Sequence, residues 1–572
     1  MNLENLKSFF TIVFSFDERY PLLFTQFYFW AFFAIVFAGF ALVKNRILLR
    51  NTFLFLVSVL FYYKTSGLFV LLLVFSTLFG LYIGKRIDVN EKQRKRKFYM
   101  ILGVGVNLLV LFYFKYAYFF TDLHNNLFNS DYEVVNYLAK WTNEVTRNNY
   151  FDAERILLPV GISFFTFQNI SYIVDVYRRR VAHVKNFFDF GFYVSFFPQL
   201  VAGPIVRANQ FIPQIYKKFF LSRRQFGIAV FWILNGLLKK IIMSDYLAVN
   251  FADRVFNNPN LFTGFENLMA VFVYSLQVYA DFSGYTDIAI GVAMLMGFYL
   301  PQNFNSPYKA TNPGSFWRRW HISLSTWLKD YLYIPLGGNR KGKVRTQINL
   351  MITMLLGGLW HGASWNFMIW GGLNGVGILI FKLWRNLKKF SRTIITFLCF
   401  AAFIGLEYFF PNPAFVIGSV WMGIIFFGTF IDNIYSWIFT AHPLKWVNRA
   451  WSIMLTFVFI TFTRLFFRSG SNLDPAEANR TAWNTAKSMV TRIGGEWTEG
   501  IVPKVLYEYR FVFILFAIGM FIHWLPECWK RWYRINFALL PLWAMAIVVL
   551  AVVFLLYQFI TADLQPFIYF QF

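Results

Sequence analysis

The chain reads as an all-α, polytopic membrane protein, with roughly ten to twelve crossings around a core of broken or re-entrant helices. Three observations predict this. Charged residues make up 14% of the 572 positions and hydrophobic ones 58%, whereas soluble domains carry roughly 25% charged residues. Uncharged apolar runs recur at 21–43, 65–84, 98–114, 346–381, 408–431 and 535–562, and a crossing needs about 20 such residues, with about 17 as a practical minimum. The net charge of +26 is concentrated in particular connections rather than spread over the chain.

Taken in order, the first third gives regular spanning helices. No small-residue cleavage site follows the first apolar run, so that run is expected to stay as an anchor. Shorter uncharged runs at 51–63, 225–236, 267–280, 393–406, 450–463 and 511–526 either need their charged flanks to snorkel or stop part-way through the bilayer. Residues 85–97 hold seven Lys/Arg against two acidic residues, and 309–345 hold eight against Asp330 alone. The positive-inside rule places both on the cytoplasmic side. Residues 121–155, with six acidic and three basic residues, can lie outside. This patterning accounts for the charge, and with no soluble basic face no nucleic-acid partner is expected; membrane lipids are. Cys399 and Cys528 sit in apolar surroundings, with no disulfide framework and no zinc-ligand spacing, so no metal is expected.

The middle of the chain is different. Gly and Pro interrupt it at Leu158-Pro159-Val160-Gly161, Phe197-Pro198-Gln199-Leu200-Val201-Ala202-Gly203-Pro204, Asp281-Phe282-Ser283-Gly284-Tyr285-Thr286-Asp287 and Ile334-Pro335-Leu336-Gly337-Gly338. Broken helices survive in lipid only where protein or water covers the freed backbone groups, which predicts a buried, cavity-lining core here. The longest polar connections, 121–155 and 469–510, are too short for a separate catalytic domain. Any chemistry therefore belongs to the membrane body.

His361 stands out. It lies in the run 346–381, which contains no Asp, Glu, Lys or Arg. Ionisable groups at membrane depth are functional by default. A neutral imidazole can take a proton from a hydroxyl, as a general base does. The competing reading is a histidine that merely hydrogen-bonds a facing helix. As a cavity-lining residue it would add little to packing. Upstream, Phe316-Trp317-Arg318-Arg319-Trp320-His321-Ile322-Ser323-Leu324-Ser325-Thr326-Trp327 is basic and aromatic, a pattern that also suits an interfacial anchor. If 317–328 is helical, His321 and Ser325 share a face, with Asp330 and Tyr331 completing a polar cluster. The two histidines are expected to line one cavity, because two polar rings in an apolar core are costly apart. Asp281 and Asp287 suggest ion pairs with Lys239, Lys240 or Arg207, or alternatively a proton or cation path. There is no P-loop, no dinucleotide fingerprint and no Ser–His–Asp pattern.

The strings Asn305-Ser306-Pro307-Tyr308, Phe316 to Trp327, Asp330-Tyr331-Leu332-Tyr333-Ile334-Pro335-Leu336-Gly337-Gly338 and Gly358-Leu359-Trp360-His361-Gly362-Ala363-Ser364-Trp365 resemble the membrane-bound O-acyltransferase family. Leu158 to Gln168, Phe196 to Ile205 and Asp281 to Asp287 resemble its bacterial branch, especially alginate O-acetyltransferases, with the D-alanyl transfer proteins of teichoic acid modification as second relatives. The resemblance implies N-terminal transmembrane helices over 1–120, a catalytic core over 121–392 around a tunnel, and C-terminal transmembrane helices over 393–572. It implies acyl transfer from a thioester donor to a hydroxyl, with His361 at the family's near-invariant histidine and His321 at its second position. Trp317, Arg318, Trp320, Ser325, Asp330, Tyr331, Trp360 and Asn366 are the expected substrate-binding residues. No permanently bound cofactor is expected. The donor is acetyl-CoA first and an acyl carrier protein second, both anionic and suited to the basic segment 309–345. A periplasmic acetyltransferase partner, a polysaccharide acceptor and a bacterial inner-membrane location complete the expectation. A transporter or a non-enzymatic scaffold competes, but the chain lacks the related halves common in transporters.

Overall fold

Apolar composition and helix propensity express themselves directly: in the computed structural model, all regular elements among the described residues are helical. Those residues are 22–147, 152–200, 203–439, 445–471 and 478–559. The first twenty-one residues, Val201-Ala202 of the Pro198 motif and parts of the 121–155 and 469–510 connections lie outside them. Among the described residues, eight helices are long and apolar enough to cross a membrane, or nine if Ile501–Glu508 and Arg510–Trp524, bent by 81°, form one span. Two features account for the distance from ten to twelve. Phe27–Val43 has only 17 residues, and the runs 51–63 and 65–84 join in one stretch, Ile47–Val89, broken at Gly67–Phe69. Gly264–Leu295 and Gly342–His361 have the length, at 32 and 20 residues, yet are not among the eight. Glu266, Asp281 and Asp287 dilute the first; Lys343, Arg345 and several amides and hydroxyls dilute the second.

The chain divides into two compact units. One comprises Met1–Ile241, Phe282–Asn303 and Glu527–Phe572; the other comprises Ile242–Asp281 and Phe304–Pro526.

In the first unit Ile162–Tyr177 is the central helix, buried over nearly its whole length. Val70–Val89 and Gln93–Leu111 pack on it. They approach closely through small residues: a side chain at Gly84 would strike the Tyr172 ring, and one at Gly103 would strike Ile83 and Ile173. Such small-residue contacts are how helices associate where lipid removes the hydrophobic drive. Gly161, in the left-handed region at φ 74°, starts this helix where a break is predicted. The predicted break over Asp281–Asp287 does not occur. Gly264–Leu295 runs straight through it, and Gly284 serves a crossing, facing Gly236 on Arg223–Leu237 so closely that a Cβ on either would meet the other's carbonyl oxygen. Asp287 pairs with Lys239 at 2.7 Å and accepts from Asn235 at 2.7 Å, which is the structural reading of that carboxylate. Glu527–Leu539 packs on Arg223–Leu237: Gly227 abuts the Ala538 backbone, and Phe231 meets Tyr533 and Phe537, each at 5.7 Å.

In the second unit the uncharged run 346–381 folds as a hairpin. Gly342–His361 and Trp365–Arg385 run antiparallel around a turn at Gly362-Ala363-Ser364. A side chain at Gly358 would strike the Phe367 carbonyl, and one at Gly371 the Met354 carbonyl. Lys445–Ser469 packs on the second arm. Lys389–Phe409 and Pro413–Ile438 pack chiefly on each other, and only 6% of either span is buried. Bare apolar flanks of this kind suit hydrocarbon.

Candidate functional site

Local chemistry sets up the segment that carries His321. Asn312 caps a short helix, Pro313–Trp317: its Oδ1 accepts from the Ser315 N–H at 2.8 Å, and Pro313 supplies the pre-set φ of a first helical position. The chain then turns, with the Arg319 and Trp320 N–H groups both donating to the Phe316 carbonyl. His321 takes a left-handed φ of 42° and opens the next helix, Ile322–Leu328. The stretch 317–328 is therefore not one helix but the end of one and the whole of another, with a strained corner between them. A non-glycine residue in that region costs on the order of 1–3 kcal/mol. His321 caps this second helix, and its carbonyl accepts from the Ser325 N–H at 2.9 Å. The Ser325 hydroxyl donates to the Trp320 carbonyl at 3.3 Å.

His361 ends the first arm of the hairpin, followed by Gly362, which must be small because the Phe367 ring lies where its Cβ would be. Forty residues apart in sequence, the two imidazoles have centroids 6.3 Å apart. Trp360 touches both, at 6.0 Å from His321 and 5.1 Å from His361. Trp370 and Phe467 close on His361 at 5.0 and 5.4 Å, and on each other at 4.9 Å. His321 is fully buried and His361 2% exposed. His361 is thus packed among three aromatic rings, which departs from the expectation that it adds little to packing. His321 lies outside the helices long enough to span, and burial pushes its imidazole down to about 3, so it is neutral at ordinary pH.

Of the other expected residues, Trp320 and Trp360 are buried at the pair. Trp317 is tied to the hairpin: its Nε1–H donates to Asn374 Oδ1 at 3.2 Å, and its ring lies 5.5 Å from Trp370. Arg318 is exposed. Asp330 and Tyr331 lie further along, half-buried, with Tyr331 against Trp327 at 5.1 Å. Asn366 uses its amide hydrogens structurally, donating to Ser469 Oγ at 2.7 Å and the Ala482 carbonyl at 3.0 Å.

Sequence reading missed two groups. His523 Nε2 accepts from the Tyr308 N–H at 3.2 Å, and its ring lies 4.7 Å from Tyr279. It thereby anchors the Asn305-Ser306-Pro307-Tyr308 string from a helix that carried no pattern. Arg464 and Arg468 lie one turn apart on Lys445–Ser469, both buried. Arg468 donates to Asp253 Oδ1 at 2.9 Å. Arg464 flanks the short uncharged run 450–463; the signal that could have found it is a pair of arginines at i, i+4 in an otherwise apolar helix. Among the described residues, no group of three or more His, Cys, Asp and Glu side chains could hold a metal ion.

Comparison with known proteins fits this arrangement. The family model for membrane-bound O-acyltransferases matches residues 110–412, more than half of the chain and inclusive of both histidines. The chain is 42% identical over 333 residues to the probable alginate O-acetylase AlgI of Pseudomonas aeruginosa, covering 58% of this chain and 60% of that one. It is 36% identical over 420 residues to a peptidoglycan O-acetyltransferase of Helicobacter pylori, covering 68% and 76%. A teichoic acid D-alanyltransferase of Streptococcus thermophilus is 28% identical over 253 residues, covering 41% and 60%. The match thus spans about three-fifths of the alginate relative's length. With 36% identity across three-quarters of the Helicobacter relative and a family match over both histidines, the chain belongs to the membrane-bound O-acyltransferase family.

Proposed function

We propose that this protein is an O-acyltransferase of a bacterial inner membrane. It transfers an acyl group, acetyl first among the candidates, from a cytoplasmic thioester donor to a hydroxyl of an extracytoplasmic polysaccharide or of a partner transferase that serves one. The observation that carries this reading is the meeting of His321 and His361, 6.3 Å apart between Trp360, Trp370 and Phe467. Two buried imidazoles this close can both reach one small reacting group, since a hydrogen bond needs about 2.6–3.2 Å.

In this mechanism His361 takes the proton from the acceptor hydroxyl as its oxygen attacks the thioester carbonyl. His321 faces the oxygen on which negative charge develops, and as a neutral ring it donates one hydrogen bond there. The tetrahedral species collapses, the C–S bond breaks, and the proton held on His361 leaves with the thiolate. An ester and a free thiol result, and the charges balance. A preorganised donor of the His321 kind contributes about 2.7–4 kcal/mol in acyl transfer. No serine or cysteine nucleophile is invoked.

Acetyl-CoA is the preferred donor. The alginate and peptidoglycan relatives are both named as O-acetylating proteins, and the exposed basic residues Arg340, Lys341, Lys343 and Arg345 suit a phosphate-bearing molecule. The 28% match to a teichoic acid D-alanyltransferase favours a second reading, D-alanyl transfer from a carrier protein. The deciding experiment measures thiol release by the purified protein from acetyl-CoA and from acetyl- or D-alanyl-loaded carrier protein, for the wild type and for His361→Gln. Absence of thiol release from every donor sinks this reading, and release that His361→Gln does not diminish removes His361 from it as the base.

A further inference from the structure

A permanent cation shares aromatic neighbours with His361. Arg464 is 1% exposed, and a guanidinium does not deprotonate in proteins. Its carbon lies 3.9 Å from the Trp320 ring centroid, and 5.5, 5.8 and 6.0 Å from those of Phe467, Trp370 and Phe316. All four distances fall in the range where an aromatic face attracts a cation, about 6 Å. The arrangement links this charge to the site twice. Trp320 leads directly into His321. Trp370 and Phe467, the rings that close on His361 at 5.0 and 5.4 Å, are the same rings that hold Arg464.

We propose that Arg464 is a positioning residue of the acyl-transfer site: its fixed charge, held by the rings that close on His361, disfavours a second cation there, and its stack on Trp320 holds the strained corner at His321. The proposal rests on the acyltransferase reading above and deepens it. A base that is already protonated cannot accept a proton from the acceptor hydroxyl, so a buried cation held by the same rings favours the working state of His361. The other charged and titratable groups around the site are Arg468 with its partner Asp253, and Asp281 and Tyr274 on Gly264–Leu295, with Tyr308 next to Arg464. The two arginines and two aspartates nearly balance overall. Arg464, however, is the one whose guanidinium shares its rings with His361.

The test uses the full-length purified protein and the pH dependence of donor turnover between about pH 4.5 and 9. Loss of a cation held by the same rings as a buried imidazole makes that ring easier to protonate. Arg464→Gln should therefore move the acid limb of the rate profile upward by about 1 unit. Arg464→Lys, which keeps the charge, should leave the midpoint in place and retain turnover. If Arg464→Gln fails to purify, Arg464→Lys carries the test: a shifted midpoint, or complete loss of turnover in a protein that still melts cooperatively, overturns the proposal. An Arg464→Gln profile lowered equally at every pH also overturns it, since that is what a merely structural residue would give. Wild-type turnover that is abolished in His361→Gln, together with unmoved midpoints, would retire this inference and leave the acyltransferase reading intact.

Discussion

Replacing His361 by two different residues separates its chemistry from its packing. The ring touches Trp360, Trp370 and Phe467 at 5.1, 5.0 and 5.4 Å. Aromatic pairs contribute about 0.5–1.5 kcal/mol each, so His361→Ala should cost on the order of 1.5–4.5 kcal/mol. That is a large part of the ~5–15 kcal/mol that holds a folded protein together. His361→Gln keeps a planar polar group of similar reach and should melt close to the wild type. A general base contributes about 10²–10⁴-fold, and a glutamine amide cannot accept the proton. His361→Gln should therefore lose at least about 10²-fold in kcat with only a small fall in melting temperature, whereas His361→Ala loses both. Thiol release in detergent and thermal melting of the same preparations measure the two quantities. A folded His361→Gln that turns over within a few-fold of wild type would refute the general-base role. An His361→Ala that melts like wild type would refute the packing argument.

Three further outcomes are expected. His321, held down to about 3 by burial, has a folded value below its unfolded one of about 6.5. Its neutral ring thus adds stability that is complete above about pH 6.5 and is lost as pH falls toward 3; melting temperature followed down this range should fall more steeply for wild type than for His321→Gln, and parallel curves would contradict it. Neutralising the exposed residues Arg340, Lys341, Lys343 and Arg345 together should weaken donor capture chiefly at low salt, since exposed charges are screened beyond about 8 Å at physiological ionic strength; a cysteine at position 343 that labels from the periplasm in intact cells would overturn the donor route. Lys239→Met should destabilise by about 3–5 kcal/mol by stranding the buried Asp287 carboxylate, and Asp287→Leu in the same chain should restore part of the loss in thermal melts.

The fold class was legible because lipid imposes a strong rule: apolar length predicts helices. The burial of His361 was legible because no charged residue stands near it in sequence. Tertiary choices were not. Asp281 to Asp287 looks like a helix break, yet Gly284 is there for the backbone of Gly236, a partner 48 positions away. The stretch 317–328 has helical spacing, yet His321 sits in a left-handed corner. Arg464 ends an apolar run, where a long cation normally reaches for water, and four aromatic rings that come together only in the fold keep it inside. His523 had no pattern to betray it, because its role is a hydrogen bond to a backbone amide.

The order in which the chain is made bears on the first unit. Arg223–Leu237 receives its cover from Glu527–Leu539: Arg223 donates to the Leu540 carbonyl at 2.6 Å, and Gly227 rests on the Ala538 backbone. At about 5–20 residues per second, the ribosome delivers that partner roughly 15–60 s after the helix it covers. During that interval the waiting surface, with Phe231 and Trp232 on it, has only lipid or a biogenesis factor to meet. A ribosome stalled short of residue 527 would leave the first unit unfinished while the segments carrying both histidines had already emerged. Quality control of this protein therefore has to recognise a helix with one face uncovered in the bilayer rather than an unfolded domain in solution.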